Sequence, residues 1–549
     1  MPLAISLPGK KVSAWMAETT VPGTNSWLSR LPIADSLESA RDLYRALYTL
    51  NRMDLTPKNR MELMELYRMP VSQVTGQLQN RLASAPYPLS LQRFKLAEFI
   101  RDLQVEMAYG YKLALFDSET VKRPVWGKSS VRAKAIFRSI HYIGNIILRS
   151  MYSYLDFPAD IWRELHALYR FAESSGCVEE PVAEFEGEES RTSTISKRYK
   201  ECLLLGLAGP FRMPQGLCKQ VNSFVYRWAD LVTIEVKIGN EIPKDCQYQI
   251  EFDRDQPAVS VARKRNANST VGGPRHILDL TTMVDHVASL LRQIETGTPA
   301  KELDLGGDCL DEACKNMLGH LLTNWRGNKI RESARIPMNG VVSVCTGLGA
   351  IHHFVYHHQI VQDESKNLTN GKKSPVLLSG SENGLSSNHR AGFRVAKWDI
   401  VNASSGGALV RGHDNSGINV WVGDLVALVD GGIHAPIKLF TVRWLKEQGE
   451  NGLEIGLELL SSSVRPILVG HERGPGSYVP GLLLEKVTTG QKRLPATLVL
   501  QKDLRGKQKD VELIESNSAK PKWVRILDQV DKTNTYERVT FAGLSDQDK

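Results

Sequence analysis

The sequence predicts a multidomain α+β protein. It divides into an N-terminal helical region over residues 1–231, a mixed α/β connector over 232–325, a β-rich segment over 326–470 and a small C-terminal β unit over 471–549. Three observations predict this. Apolar residues recur at helical spacing as far as Leu231. The period turns strand-like at Thr233. From residue 336 onward, short alternating apolar runs are separated by Gly, Asn, Ser and Lys turns. A chain of 549 residues accommodates about three or four domains.

Taken in order, residues 1–34 form an irregular lead-in in which Trp15 and Trp27 dock on the body. Asp35 caps a helix whose Leu37, Ala40, Tyr44, Leu47 and Tyr48 share a face. Thr56-Pro57 starts the next, with proline in the first turn where its missing N–H is not needed. Further helices run over about 90–115, 129–155, 195–207 and 218–231, and Pro158-Ala159-Asp160 opens another. The acidic stretch 179–189 reads as a solvated loop. A solenoid-like stack and an irregular bundle both fit these helices, since no signature repeats at fixed period. Strands are expected at Thr233–Ile238, Gln247–Phe252 and Ala258–Arg263, and helices at Thr281–Ile294 and Cys309–Trp325, with Asp308 capping the latter. The histidine-rich run His352, His353, His357 and His358 is expected in a strand, too spread for one strand to chelate a metal. In the C-terminal unit, Leu482–Leu484, Ala496–Leu500, Val511–Ile514, Trp523–Asp528 and Glu537–Phe541 are the strand candidates.

Two short signals carry chemistry. Arg331 and Arg335 stand four residues apart on a basic connector with Arg326 and Lys329. Guanidinium forks bind phosphate oxygens and the O6/N7 edge of guanine in two-pronged fashion. Asn402-Ala403-Ser404-Ser405-Gly406-Gly407 supplies an amide, a hydroxyl and backbone bared by glycine. As bland alternatives, an Arg pair four apart is often a solvated helix face, as at Arg41/Arg45, and an Asn-Ser-Gly stretch is often a simple turn.

An RxxxR arm, a strand and then (D/N)xSxxG resembles the PilZ domain, a bacterial receptor for cyclic di-GMP. Val422–Leu425 is similar to that family's mid-barrel strand, and Thr441–Trp444 with Gly456–Leu460 to its closing hairpin. The resemblance covers about residues 326–465. It implies a PilZ-type small β-barrel, cyclic di-GMP as ligand, and Arg331, Arg335, Asn402, Ser404 and Gly407 as the residues that bind it. The interval from Arg335 to Asn402 is long for the family, and a surface insertion at about 360–388 accounts for it. Because the insertion returns at Arg390 and Arg394, these are additional candidates for a phosphate contact. The C-terminal β unit carries neither motif and is assigned no ligand; whether it is a second, degenerate barrel packed on the first stays open in the sequence.

Composition sets the remaining expectations. A net charge of +8 is mild for this length and gives local basic patches, not a nucleic-acid coat. Arg263-Lys264-Arg265 lacks interleaved aromatics and reads as a solvated loop. Seven scattered cysteines predict a reduced, cytoplasmic setting, with Cys309 and Cys314 as buried thiols instead of metal ligands. No run of about 20 apolar residues predicts a membrane span. No catalytic constellation, metal site or cofactor motif emerges. The chain therefore reads as a non-enzymatic cyclic di-GMP receptor whose helical region meets a protein partner. The alternative is a structural scaffold with a degenerate PilZ barrel that binds no nucleotide.

Overall fold

The computed structural model describes residues 5–10, 16–120, 129–184, 191–238, 245–261, 274–305, 310–327, 334–357, 394–412, 417–430, 435–470, 478–489, 492–504, 509–515 and 521–544. The chain forms two compact units, one of residues 1–85 and 91–330, the other of residues 86–90 and 331–549.

The first unit begins with α1 (Val21–Leu28), α2 (Ser36–Leu50), α3 (Pro57–Leu82), α4 (Leu91–Thr120), α5 (Ser129–Tyr152), α6 (Ile161–Ser174), α7 (Ile195–Leu207) and α8 (Leu217–Trp228). The predicted caps operate. Asp35 accepts from the amides of Leu37 and Glu38, and Thr56 accepts from Asn59 with Pro57 in the first turn. Leu103, Met107, Ile136, Ile140, Ile143 and Ile147 on α4 and α5 are fully buried, each contributing about 1.5–3 kcal/mol of burial. Because α5 packs on α4, α6, α7 and α8, the helices form a bundle about α5. A solenoid would confine each pair to its sequence neighbours.

The acidic stretch is not wholly a solvated loop. Between α6 and α7, β1 (Val182–Ala183) and β2 (Thr192–Ser193) pair as a short hairpin, and the adjoining Glu184 is buried. Its carboxylate accepts from Arg198 at 2.7 Å and from the Tyr226 hydroxyl at 2.6 Å. Nearby, Arg138 is only 1% exposed and donates to both oxygens of Glu65. Burial would raise the Glu65 carboxyl, but Arg138, Arg68 and the Tyr111 hydroxyl outweigh it and hold it at about 2. Charge count along the sequence cannot distinguish a glutamate on a loop from one that meets arginines brought from distant helices.

The unit continues with β3 (Thr233–Lys237), β4 (Gln247–Ile250), β5 (Val259–Ser260) and β6 (Arg275–Asp279), an antiparallel sheet ordered β3-β6-β4-β5, followed by α9 (Thr281–Glu295) and α10 (Asp311–Trp325). The sequence reading omitted β6. Its cap for α10 is also corrected: Leu310, not Asp308, holds the N-cap position. Trp325, at the end of α10, is fully buried and donates to the Leu204 carbonyl, while Tyr248 donates to the Trp325 carbonyl. Cys314 is buried and disulfide-bonded, so it is not the free thiol expected. Cys309 lies outside the described residues, as do Asp308 and the 263–265 basic cluster. Among the described residues, no helix is long and apolar enough to cross a membrane.

The second unit holds two closed antiparallel barrels. The first comprises β7 (Ile336–Thr346), β8 (Ala396–Ser404), β9 (Gly407–Gly412), β10 (Leu425–Val429), β11 (Lys438–Glu447) and β12 (Leu453–Ser461). The second comprises β13 (Val464–Gly470), β14 (Val479–Leu484), β17 (Thr497–Gln501), β18 (Asp510–Glu515), β19 (Lys522–Lys532) and β20 (Tyr536–Gly543). A side hairpin, β15 (Val487–Thr489) and β16 (Lys492–Leu494), sits between β14 and β17. Around the first barrel the order is β7-β8-β9-β12-β11-β10, and around the second β13-β14-β17-β20-β19-β18. Both barrels thus visit their first, second, third, sixth, fifth and fourth strands in turn, so the C-terminal unit repeats the topology of the first barrel. The boundary drawn at residue 470 is corrected, because β13 precedes it and belongs to the second barrel.

The second barrel fills its interior with Val469, Leu498, Leu500, Val511, Leu513 and Val539. Alternate residues face outward and join the first barrel. Leu482, Leu484 and Val499 pack in one core with Leu425, Ala427, Val429 and Leu439. This explains why β10 is buried on both faces. Ile351 and Val355 complete that core, and here another expectation is overturned: residues 348–357 are helical, not a strand. Leu348, Ile351 and Val355 at i, i+3 and i+7 make the apolar face, a pattern the intervening histidines obscured. Residues 86–90 also belong to this unit: Val420 donates to the Tyr87 carbonyl at 2.9 Å, and the Leu89 amide donates to Glu447 at 2.9 Å.

Candidate functional site

The site is built where the start of β7 meets the end of β8. These strands are antiparallel, pairing Ile336 with Ala403 and Pro337 with Asn402. Arg335 is the next residue out along β7, at the level of Ser404, and it is exposed. Cross-strand neighbours lie about 5 Å apart. The ladder therefore brings together two motifs separated by more than sixty positions in the sequence. Arg331 lies outside the described residues.

A β-bulge decides which way the second motif faces. In β8, Ala396, Trp398 and Ile400 are buried while Lys397 and Asp399 are exposed. Uninterrupted alternation would carry Asn402 inward. Val401 is an extra residue: Ile400 pairs with Val410, but Asn402 pairs with Leu409. Residues directly opposite share a face, so Asn402 and Ser404 stand with Leu409 and Gly407, in phase with Arg411. The Arg411 guanidinium pairs with Glu454 at 2.6 Å outside the barrel. Bulges re-aim side chains in this manner. The consequence is an outer face bearing Arg335, Asn402, Ser404 and Gly407.

Asn402 Oδ1 is buried with no hydrogen-bond partner among the described residues. A buried acceptor left unpaired costs about 1–3 kcal/mol, which an incoming donor would recover. Ser404 Oγ donates to the Gly407 carbonyl at 3.4 Å, closing the turn. Gly407 serves the backbone. A Cβ there would sit 2.1 Å from the Leu457 carbonyl oxygen, whereas one at Gly406 would meet nothing within 4 Å. Glycine at 407 lets β9 close on β12; the turn beside it remains open.

The sequence reading did not single out the neighbours on this face. Gly407 pairs with Glu458 on β12, which accepts from Arg443 Nε at 2.5 Å. One step along, the Trp444 indole lies over Gly456, the partner of Leu409. In the sequence these residues stand out only as parts of a closing hairpin. The Gly456-to-Trp444 interval was the available signal, since a glycine opposite a tryptophan leaves room for the ring.

Arg394, the additional candidate, stands apart from Asn402 along the strand. It precedes the start of β8, eight residues from Asn402 at the strand's other end, about 25 Å away at strand rise. Its side chain lies over Gly417. Arg390 and the insertion at 360–388 lie outside the described residues. Among the described residues, no group of three or more His, Cys, Asp or Glu side chains is placed to hold a metal.

A family model described as "Cyclic-di-GMP receptor FimW, N-terminal domain" matches residues 23–240. A second, described as "Cyclic-di-GMP receptor FimW, middle PilZ domain", matches residues 248–376. The latter span begins in β4, takes in β7 and ends before β8, so Asn402, Ser404 and Gly407 lie beyond it. The chain is also similar to a Pseudomonas aeruginosa protein named "Cyclic-di-GMP receptor FimW". The two are 22% identical over 519 residues, which cover 86% of this chain and 82% of the relative.

Proposed function

We propose that this chain is a PilZ-containing receptor of the FimW type, as its two family matches and its similarity to the Pseudomonas aeruginosa protein support, and that it binds cyclic di-GMP on the outer face where β7 begins and β8 ends. The observation that carries this reading is the bulge at Val401, which turns Asn402 and Ser404 to the same face as Arg335 and Gly407. Arg331 and Arg335 clamp phosphate and the guanine O6/N7 edge. Asn402 Oδ1 accepts a guanine N–H, and the open turn at Gly406 admits the ligand to the backbone.

The receptor works without catalysis, in the cytoplasm, and passes the signal to a protein partner through its helical region. Trp325 supports a specific form of this coupling. Its side chain is buried in the helical core and donates to the Leu204 carbonyl, so the helix that precedes the arginine arm in sequence belongs to the helical region. A dianionic ligand offsets the repulsion among the arm's positive charges, and its differential affinity shifts the population toward the state that engages the partner.

Isothermal titration tests the reading. The wild-type chain binds cyclic di-GMP with micromolar or tighter affinity, and Arg331→Ala and Arg335→Ala each weaken binding by about 1.5–3 kcal/mol, the range for hydrogen bonds to charged groups. Absence of binding by the wild type favours the scaffold alternative; unchanged affinity in both variants removes the arm from the site.

A further inference from the structure

We propose that His353 and His357 form a two-point chelate for a divalent first-row transition ion, apart from the nucleotide face. As strand residues these histidines could not converge on one ion, but residues 348–357 are helical. In a helix, positions i and i+4 stand one above the other on the same side. The two rings are already gathered there: their centroids lie 4.1 Å apart, with planes at 64°. Tetrahedral ligation at metal–nitrogen distances of about 2.0–2.1 Å requires two nitrogens about 3.3 Å apart, which the two exposed rings meet by turning about their χ angles to present one nitrogen each to the ion.

The support beneath the pair is rigid. Ile351 and Val355, on the opposite side of the same helix, are buried at 0% and 1% exposure in the core shared by the two barrels. Both His353 and His357 are exposed, so an ion has access without the core opening. The edge of Tyr356 against the His357 ring, with centroids 5.8 Å apart, limits that ring's freedom. Among the described residues, no group of three or more His, Cys, Asp or Glu forms here, so the proposed chelate is two-point. Imidazole donors suit zinc, copper and nickel, and affinity rises toward copper.

The test uses the full chain, free of affinity tags and stripped of metal. It is titrated with zinc chloride calorimetrically and loaded with one equivalent of copper(II) for electron paramagnetic resonance. The expected result is one zinc ion bound per chain with micromolar affinity, and a copper spectrum carrying superhyperfine splitting from two nitrogens. His353→Ala and His357→Ala each weaken zinc binding by at least about tenfold, since either leaves a single ligand, and each reduces the splitting to one nitrogen or none. Both side chains are exposed, so both variants fold, which circular dichroism checks. Zinc binding that is absent in the wild type, or equally tight in the double alanine variant, overturns the proposal.

Discussion

Replacing Asn402 with alanine distinguishes a ligand-facing residue from an ordinary turn residue, because the two readings predict opposite losses. In the unliganded chain Asn402 Oδ1 is buried without a hydrogen-bond partner among the described residues. Such an acceptor destabilises the fold by about 1–3 kcal/mol. Alanine removes it together with roughly 1 kcal/mol of side-chain packing. The terms oppose each other, so unfolding free energy changes by no more than about 2 kcal/mol and tends upward. For a unit of some 200 residues that is a melting shift within about 8 °C, at 2–4 °C per kcal/mol. Binding loses one neutral hydrogen bond, about 0.5–1.5 kcal/mol, or roughly two- to twelvefold in affinity. Differential scanning fluorimetry of the unliganded protein and calorimetric titration with cyclic di-GMP read the two quantities separately. A melting temperature that falls by more than about 10 °C with unchanged affinity would refute the reasoning and return Asn402 to the role of a turn former.

Two further predictions concern the same unit. Gly407→Ala places a methyl 2.1 Å from the Leu457 carbonyl; the β9–β12 ladder must part, and stability falls by about 1–3 kcal/mol, as overpacking typically does. Gly406→Ala, with open space at its Cβ, melts with the wild type, and equal melting of both variants contradicts the assigned role. For Asp424, burial pushes the carboxyl up to about 6, opposed by hydrogen bonds from the Trp421 amide and Thr535. A carboxyl raised in the folded state gives stability that is fully present below its ordinary value near 4 and lost as pH rises through about 6. Asp424→Asn therefore stabilises the protein at pH 8 by up to about 3 kcal/mol, two units at about 1.4 kcal/mol each, and changes little at pH 4. Urea unfolding at the two pH values checks this, and a larger loss at pH 8 than at pH 4 contradicts it.

Local signals made most elements legible. Asp35 and Thr56-Pro57 announce their helices through groups that act within four residues, and the five C-terminal strand candidates all lie within observed strands or overlap them. What escaped depended on distant partners. Glu184 reads as one acid among many until Arg198 and Tyr226 reach it. The helix at 348–357 owes its apolar face to a core supplied by both barrels. The motifs at Arg335 and Asn402 are visible in the sequence; that antiparallel pairing of β7 with β8 brings them together is not. The bulge at Val401, which fixes the direction of Asn402, has no glycine to signal it. The same strand sets Arg394 and Asn402 at opposite ends of β8, a separation that closeness in sequence does not convey.

The central claim is that nucleotide binds where β7 begins and β8 ends. Amide hydrogen exchange with and without cyclic di-GMP tests it most directly, because it locates the ligand on the chain without altering a residue. Slower exchange is expected over residues 326–337 and 400–408, with no change over 394–398 at the far end of β8 or over the second-barrel strands 510–515 and 522–532. Protection centred on the second barrel or on the start of β8, with 326–337 and 400–408 unaffected, would contradict the account.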